Sequence, residues 1–353
     1  MSPQPLLACV EGGGTSFVCC VAPVSDPTNP IDRFEVTTTT PSETIKACSA
    51  FLEKYKTQYV ALGVATFGPV DLNRSSPTYG YITATPKAAW RFTDVLSPFL
   101  AINPNVPHKF DTDVNAPALA EHTLARRVET DTSVAYVTVG TGVGVGLVVN
   151  GEPVHGLMHP EGGHVCVDTL PNDSFGGYSW GKNAPYAGRC TVESLASAVG
   201  IVERLGHDAN DADSRSVLKT LADDDECWNH VANALANLCV SLTLLTSVNR
   251  IVLSGGIMLR ASLFPKIRTR TRELLNGYVQ LPAILDDAEL DKFISPSTWG
   301  NSAGVVGALN LANVALAESK DKQSTSESTS TALALGAGLI VGGLVGVAAA
   351  RRR

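Results

Sequence analysis

Three glycine-rich turns and one acidic strand end are the parts of this sequence with the means to do chemistry. At Gly12, Gly13, Gly14 and Thr15 the backbone carries almost no side chain, so main-chain N–H groups can approach an anion, and the Thr15 hydroxyl adds a donor. Gly140, Thr141, Gly142, Val143 and Gly144 repeat that chemistry, and Ser254, Gly255 and Gly256 form a third close-approach turn. Such loops suit a polyphosphate, and Glu11, just before the first of them, is placed to hold Mg2+ through water. In FDTDVN, residues 110–115, Asp113 is a candidate general base that accepts the proton of a substrate hydroxyl. Asp111 and Asp113 are equally suited to cap the helix that starts near Ala116. His155, His159, Glu161 and His164 (HGLMHPEGGH), with Cys166, Cys190 and Glu193 downstream, have residue types found in zinc sites.

These residues need elements to hold them. Residues 6–22 (LLACVEGGGTSFVCCVA) read as strand, tight turn, strand, and residues 33–40 as a third strand, so a hairpin meander opens the chain. Residues 42–55 have helical spacing behind a Ser/Glu start, and residues 59–66 (YVALGVAT) are the short apolar run of a buried parallel strand. Residues 133–151 repeat the opening as VAYVTVG, TGVGVG and LVVNG; a helical stretch over about 231–248 follows, and IVLSGG ends on a glycine pair. The same plan used twice implies two similar α/β lobes whose loops face each other across a cleft.

A chain of 353 residues, 44% hydrophobic and 17% charged, is neither disordered nor fibrous, and suits two lobes. Its 27 basic against 34 acidic residues give a net charge of -7, which excludes any general attraction for nucleic acid, so an anionic ligand must be caught by a local loop. The eight cysteines lie mostly in apolar runs with no CxxC pair, as in a reducing compartment, and the N-terminus shows no secretory signal. Residues 318–331 (ESKDKQSTSESTST) have no apolar side chain and are expected as a polar linker. Residues 332–350 have no polar one and are followed by Arg351, Arg352 and Arg353; on length they are expected to be a transmembrane tail anchor.

The residues that open the chain (EGGGTSFVCCVA), together with FGPVDLNRSSPTYGYITATPKAAW at 67–90, FDTDVNAPALAE at 110–121, VTVGTGVGVGLVVNG, HGLMHPEGGH and VLSGGI, resemble the ROK (repressor, open reading frame, kinase) sugar kinases, most closely their bacterial-type fructokinase branch. The resemblance covers residues 6–316 and implies an α/β fold of two actin-like, ribonuclease H-like ATPase lobes around a cleft, here with a transmembrane helix added. On it, residues 1–120 form the first lobe, and residues 121–317 the second, whose last helix returns to the first. It implies ATP and Mg2+ as cofactors, and transfer of the ATP γ-phosphoryl to a sugar hydroxyl, the 6-hydroxyl of fructose in that branch. Asp113 falls on the catalytic base. Gly12, Gly13, Gly14, Thr15, Thr141 and Gly142 fall on the phosphate loops, Gly255 and Gly256 on the nucleoside turn, and Gly68, Pro69, Glu161, His164 and Glu193 on the sugar contacts.

One departure concerns zinc. The family's site takes the histidine of ExGH, here His164, and three ligands downstream, but Ala184 and Ala187 replace two of them and only Cys190 remains, so zinc is not expected. The loop carrying Glu193 would then be held by packing of Tyr178, Trp180 and Tyr186. The ROK repressors carry an N-terminal DNA-binding segment, whereas this sequence starts at the first strand, which sets that reading aside. Two rivals to a fructokinase are a kinase for mannose or glucose and a weakly active, membrane-tethered sugar sensor. The expected setting is an intracellular membrane with the kinase lobes in the cytosol, at a mitochondrial or peroxisomal surface. A homodimer is a further expectation, from the spacing of Gly338, Gly342 and Gly346.

Overall fold

A computed structural model describes residues 4–178, 190–209, 211 and 213–324. The meander is present as β1 (Leu6–Gly12), β2 (Ser16–Pro23) and β3 (Asp32–Thr37), followed by α1 (Pro41–Tyr55) and β4 (Tyr59–Thr66). Thr40 caps α1, accepting the Glu43 N–H and donating its hydroxyl to the Glu43 carboxylate at 2.8 Å. A small excursion follows, made of β5 (Tyr81–Ile82), β6 (Thr93–Asp94) and the single turn α2 (Ser97–Leu100). Then β7 (His108–Thr112) closes the first sheet in the order β3-β2-β1-β4-β7, with β1, β4 and β7 parallel.

After α3 (Asn115–Thr123) the chain builds a second sheet from β8 (Val134–Val139), β9 (Val143–Val149), β10 (Glu152–Pro153), β11 (Arg250–Ser254) and β12 (Ile294–Pro296). Its order, β10-β9-β8-β11-β12, copies the first: two antiparallel strands on one side of the first strand, then parallel neighbours on the other. Its outer face is covered by α4 (Val192–Ala196), α5 (Ala198–Arg204), α7 (Cys227–Thr246), α8 (Leu263–Leu275), α9 (Pro282–Leu285) and α10 (Asp287–Phe293), with α6 (Val217–Thr220) at the periphery.

The central strands of both sheets are buried on both faces, which is why β1, β4 and β11 read as near-continuous apolar runs. Leu6, Ala8 and Val10 pack toward α1, while Leu7 and Cys9 pack toward a middle layer formed by α3 and a last helix, α11, over residues 303–324. That layer also takes Val134, Tyr136, Val148 and Val252 from the second sheet, so it lies between the lobes. Close approach there depends on missing side chains: a Cβ on Gly63 of β4 would lie 1.9 Å from the Ala308 carbonyl oxygen, and one on Gly307 would lie 2.4 Å from the Pro117 nitrogen. A charged cluster is buried at Arg250, whose guanidinium binds Asp131 at 2.6 Å and lies 3.7 Å from Glu121, whose carboxylate also accepts from Ser297 and Thr298.

α11 continues over residues 318–324, the start of the stretch read as a linker, where Glu318 pairs with Lys109. The transmembrane helix must be corrected. Among the described residues no helix is long and apolar enough to cross a membrane, and residues 332–350 lie outside them. The expectation rests on the length criterion, set above the modest hydrophobicity of six alanines and five glycines, each glycine costing about 1 kcal/mol in a helix relative to alanine.

Candidate active site

Every candidate residue group of the two sheets sits at the carboxyl end of a parallel strand, where open α/β sheets bind ligands. β1 leads into Gly12–Thr15, β4 into residues 67–69, β7 into Asp113, β8 into Gly140–Gly142 and β11 into Gly255–Gly256. The first glycine turn uses its own Gly13 N–H, which donates to the Ser16 carbonyl at 2.9 Å, so the donors it presents are Gly14, Thr15 and the exposed Thr15 hydroxyl. Thr38 steadies it: its N–H donates to the Thr15 carbonyl and its hydroxyl to the Gly13 carbonyl, each at 2.9 Å. Gly255, at φ +93°, lies where a Cβ would be 2.5 Å from the Val139 carbonyl oxygen, so this turn closes onto the end of β8.

Asp113 follows β7, and its N–H donates to the Thr66 carbonyl at 3.0 Å, which extends the pairing of β7 with β4 by one residue. Neither aspartate caps α3. The Asn115 N–H donates to the Thr112 hydroxyl at 2.9 Å, and Asp111 accepts from Asn115 Nδ2 and faces His155 Nε2 at 2.9 Å. That contact pushes His155 above its ordinary value, since a buried carboxylate favours the imidazolium. Asp113 is thereby left to the cleft, and burial pushes its carboxyl up to about 7.

Two further carboxyls share this environment. Burial and then the charge of Asp113 push Glu11 up to about 7. Burial, then Glu193, then Asp113 push Glu161 up to about 7 as well. Glu193, in the first turn of α4, accepts the Val143 N–H at 2.9 Å, and a Cβ on Gly142 would lie 2.5 Å from its carboxylate. The second glycine turn and Glu193 are therefore built as one unit. Gly163 seats the EGGH segment on the same turn, since a Cβ there would lie 1.9 Å from the Val143 carbonyl oxygen. His164 Nε2 lies 3.9 Å from Glu161.

Gly68 and Pro69, joined by a cis peptide, are gripped from the other lobe. The buried His159 accepts the Val70 N–H on Nε2 at 3.1 Å, and its Nδ1 faces the Pro160 carbonyl at 3.3 Å. Nε2 therefore carries no proton, and burial holds the ring below its ordinary pKa. Sequence reasoning placed His159 only in a zinc-like cluster and missed this clasp; a lone histidine gives no sign of which backbone it will meet. It also missed Arg215, whose Nη1 donates to the Thr141 hydroxyl at 3.3 Å. Among the described residues no group of three or more His, Cys, Asp or Glu is arranged to hold a metal, while Trp180, Ala184, Tyr186 and Ala187 lie outside them. Tyr178 is described; its N–H donates to the Ser194 carbonyl at 2.8 Å, next to Glu193.

Residues 7–315 match the ROK family. The chain belongs to that family. This ROK protein is 38% identical over 317 residues to a fructokinase of Zymomonas mobilis, covering 88% of this chain and 98% of that one. It is 35% identical over 311 residues to a fructokinase of Pediococcus pentosaceus, with 88% and 99% covered. Among solved structures it shares its fold with a ROK glucokinase of Streptomyces griseus in complex with glucose and AMPPNP, at a TM-score of 0.64 and 19% identity over 87% of this chain and 99% of that one. A ROK hexokinase of Thermus thermophilus gives a TM-score of 0.63 at 21% identity, with 90% and 99% covered.

These relatives correct the expected setting as well. They are bacterial proteins matched over nearly their whole length, and the family match ends before the tail on which a tail-anchored protein of a mitochondrial or peroxisomal surface was argued.

Proposed function

We propose that this ROK protein is an ATP-dependent hexose kinase that phosphorylates fructose at its 6-hydroxyl. The observation that carries the chemistry is the Asp113 carboxyl, uncommitted to capping α3, pushed up to about 7 and set at a strand end between two glycine turns. Asp113 takes the proton from the sugar hydroxyl as its oxygen bonds to the γ-phosphorus. The bond from that phosphorus to the β–γ bridging oxygen breaks, and ADP leaves. Gly14, Thr15, Thr141 and Gly142 bind phosphates, Gly255 and Gly256 flank the nucleoside, and Gly68, Pro69, Glu161, His164 and Glu193 surround the sugar. The crowding of Glu11 against Asp113 fits a cation beside the phosphates, which Glu11 would help to hold. Mg2+ bound there would supply neutralisation of phosphate charge. Fructose rather than another hexose is supported by the names of the relatives at 35–38% identity. ATP consumption by the full-length protein, measured over fructose, glucose and mannose, tests the reading; a higher kcat/KM for glucose or mannose than for fructose would refute the assignment of fructose.

The raised carboxyls set a pH dependence. Asp113 must be unprotonated to act, so kcat/KM is expected to fall by about tenfold per pH unit on the acid side of about 7. The apparent pKa belongs to the coupled set of Glu11, Asp113 and Glu161. Stability runs the other way. Folded carboxyls at about 7 hold protons that unfolded ones release near 4, so ligand-free stability should decline as pH rises across that window and level off above it. Initial rates and melting curves from pH 5 to 9 check both; a flat rate profile would remove Asp113 as the base.

His159→Ala is expected to raise the hexose KM by about tenfold, from the cost of a buried Val70 N–H left without its acceptor. The ATP KM should stay within threefold. Equal rises in both would show that the clasp supports the whole cleft rather than the sugar loop.

A further inference from the structure

Lys87 has had no part in the site so far. It precedes a 3-10 turn, Ala88–Trp90, and its backbone is held at both ends: its N–H donates to Thr85 Oγ1 at 3.4 Å and its carbonyl accepts the Trp90 N–H at 2.8 Å. Trp90 is the anchor of that turn. It is buried, donates its indole N–H to the Thr39 carbonyl at 2.9 Å, stacks on Phe17 at 5.1 Å and meets Phe67 edge-on at 5.5 Å. Phe17 is also the ring against which Gly12 closes, since a Cβ on Gly12 would lie 2.7 Å from it. One aromatic cluster therefore fixes both the first glycine turn and the base of Lys87.

From that base the side chain crosses the turn. Its Cε lies 3.3 Å from where a Cβ on Gly14 would be, so it reaches the turn at Gly14. Lys87 is exposed, and among the described residues no carboxylate pairs with it. An unpaired ammonium whose backbone is fixed beside an N–H-rich turn is placed to meet an anion bound at that turn. The need for a cation is local. Glu11, Asp113 and Glu161 repel one another at this cleft, and a nucleotide phosphate arriving there adds to the negative charge. Lys87 also belongs to the excursion that begins at Gly68–Pro69, so it approaches the turn from the side proposed for the sugar.

We propose that the Lys87 ammonium contacts the transferring γ-phosphoryl group, donating hydrogen bonds to its oxygens as charge redistributes between the sugar oxygen and the ADP leaving group. This rests on the phosphoryl-transfer reading of the site. No proton moves from Lys87; its charge is the contribution.

Lys87→Met keeps the length of the side chain without its charge, and Lys87→Arg keeps a charge. The Met variant is expected to lose about 100-fold in kcat with the hexose KM within threefold of wild type, and the Arg variant to lose less than tenfold. Calorimetric titration with AMPPNP and ADP gives a readout that does not require turnover. Lys87→Met should weaken AMPPNP binding by about tenfold and leave ADP binding unchanged, since only the former has a γ-phosphate. An unchanged AMPPNP to ADP affinity ratio overturns the proposal even if no hexose is turned over. Equal kcat losses in the Met and Arg variants, or a change in hexose KM instead of kcat, overturn it too.

Discussion

Asp113→Asn is expected to lower kcat by about 10³-fold while the dissociation constant for the hexose stays within a few-fold. The amide has almost the shape of the carboxylate, so the strand-end geometry, fixed by the Asp113 N–H to Thr66 carbonyl bond, should survive. What is lost is the ability to take a proton. Because burial has already raised this carboxyl to about 7, it is matched to a hydroxyl that becomes acidic only as its oxygen bonds to phosphorus. The substitution also removes one charge that pushes up Glu11 and Glu161, so their titration should move toward the ordinary carboxylate range. Steady-state kinetics with calorimetric hexose titration check this. A variant retaining more than a tenth of the wild-type kcat would mean that another group accepts the proton.

Gly63→Ala should be among the most damaging small substitutions in the molecule. The new methyl would stand 1.9 Å from the Ala308 carbonyl oxygen and 2.7 Å from the Ala312 nitrogen, and neither is a side chain that can turn aside. The whole of α11 must shift, opening the layer in which Leu7, Cys9, Ala61 and Ala65 are buried. A cost of about 3–5 kcal/mol is expected, the range of severe core disruption. Activity should fall with it, because Gly304 at the start of α11 touches the Glu11 carboxylate, with only 2.8 Å between a Cβ there and Oε1. Gly156→Ala, in an exposed loop with nothing within 4 Å of the added atom, is the control and should be neutral. Denaturant unfolding of the two variants checks the difference.

The strands were legible because both faces are buried. β4 falls on the apolar run at residues 59–66, and the repeat of hairpin and glycine turn at 133–151 signals the second lobe directly. The α11 layer was harder to see: nothing in GVVGALNLA says that its glycines will face Pro117 and Glu11 in other parts of the chain. Motif positions gave the candidate loops, but the pairing of Glu193 with the Val143 N–H and of His159 with Val70 depends on long-range contacts between segments with no shared pattern. Lys87 lies within the segment at 67–90 that carries the family resemblance, yet an exposed lysine has no pattern to distinguish it; only its base, pinned by Trp90, does so. For the tail, length decides in favour of a membrane span over the modest hydrophobicity of its alanines and glycines, and no helix among the described residues bears that out.

The place of α11 in the first lobe also bears on the order in which the protein can be made. The end of β4 leaves the ribosome about 240 residues before α11, the helix that with α3 covers one side of the sheet, begins at residue 303. At 5–20 residues per second, roughly ten to fifty seconds separate the two, and through that interval one apolar face of the first sheet has only α3 as its cover. The lobe that begins the chain is therefore not a unit that can finish folding first. Until the last helix docks it is a client for whatever shields nascent apolar surface, and a cut between the lobes would leave it without its lid.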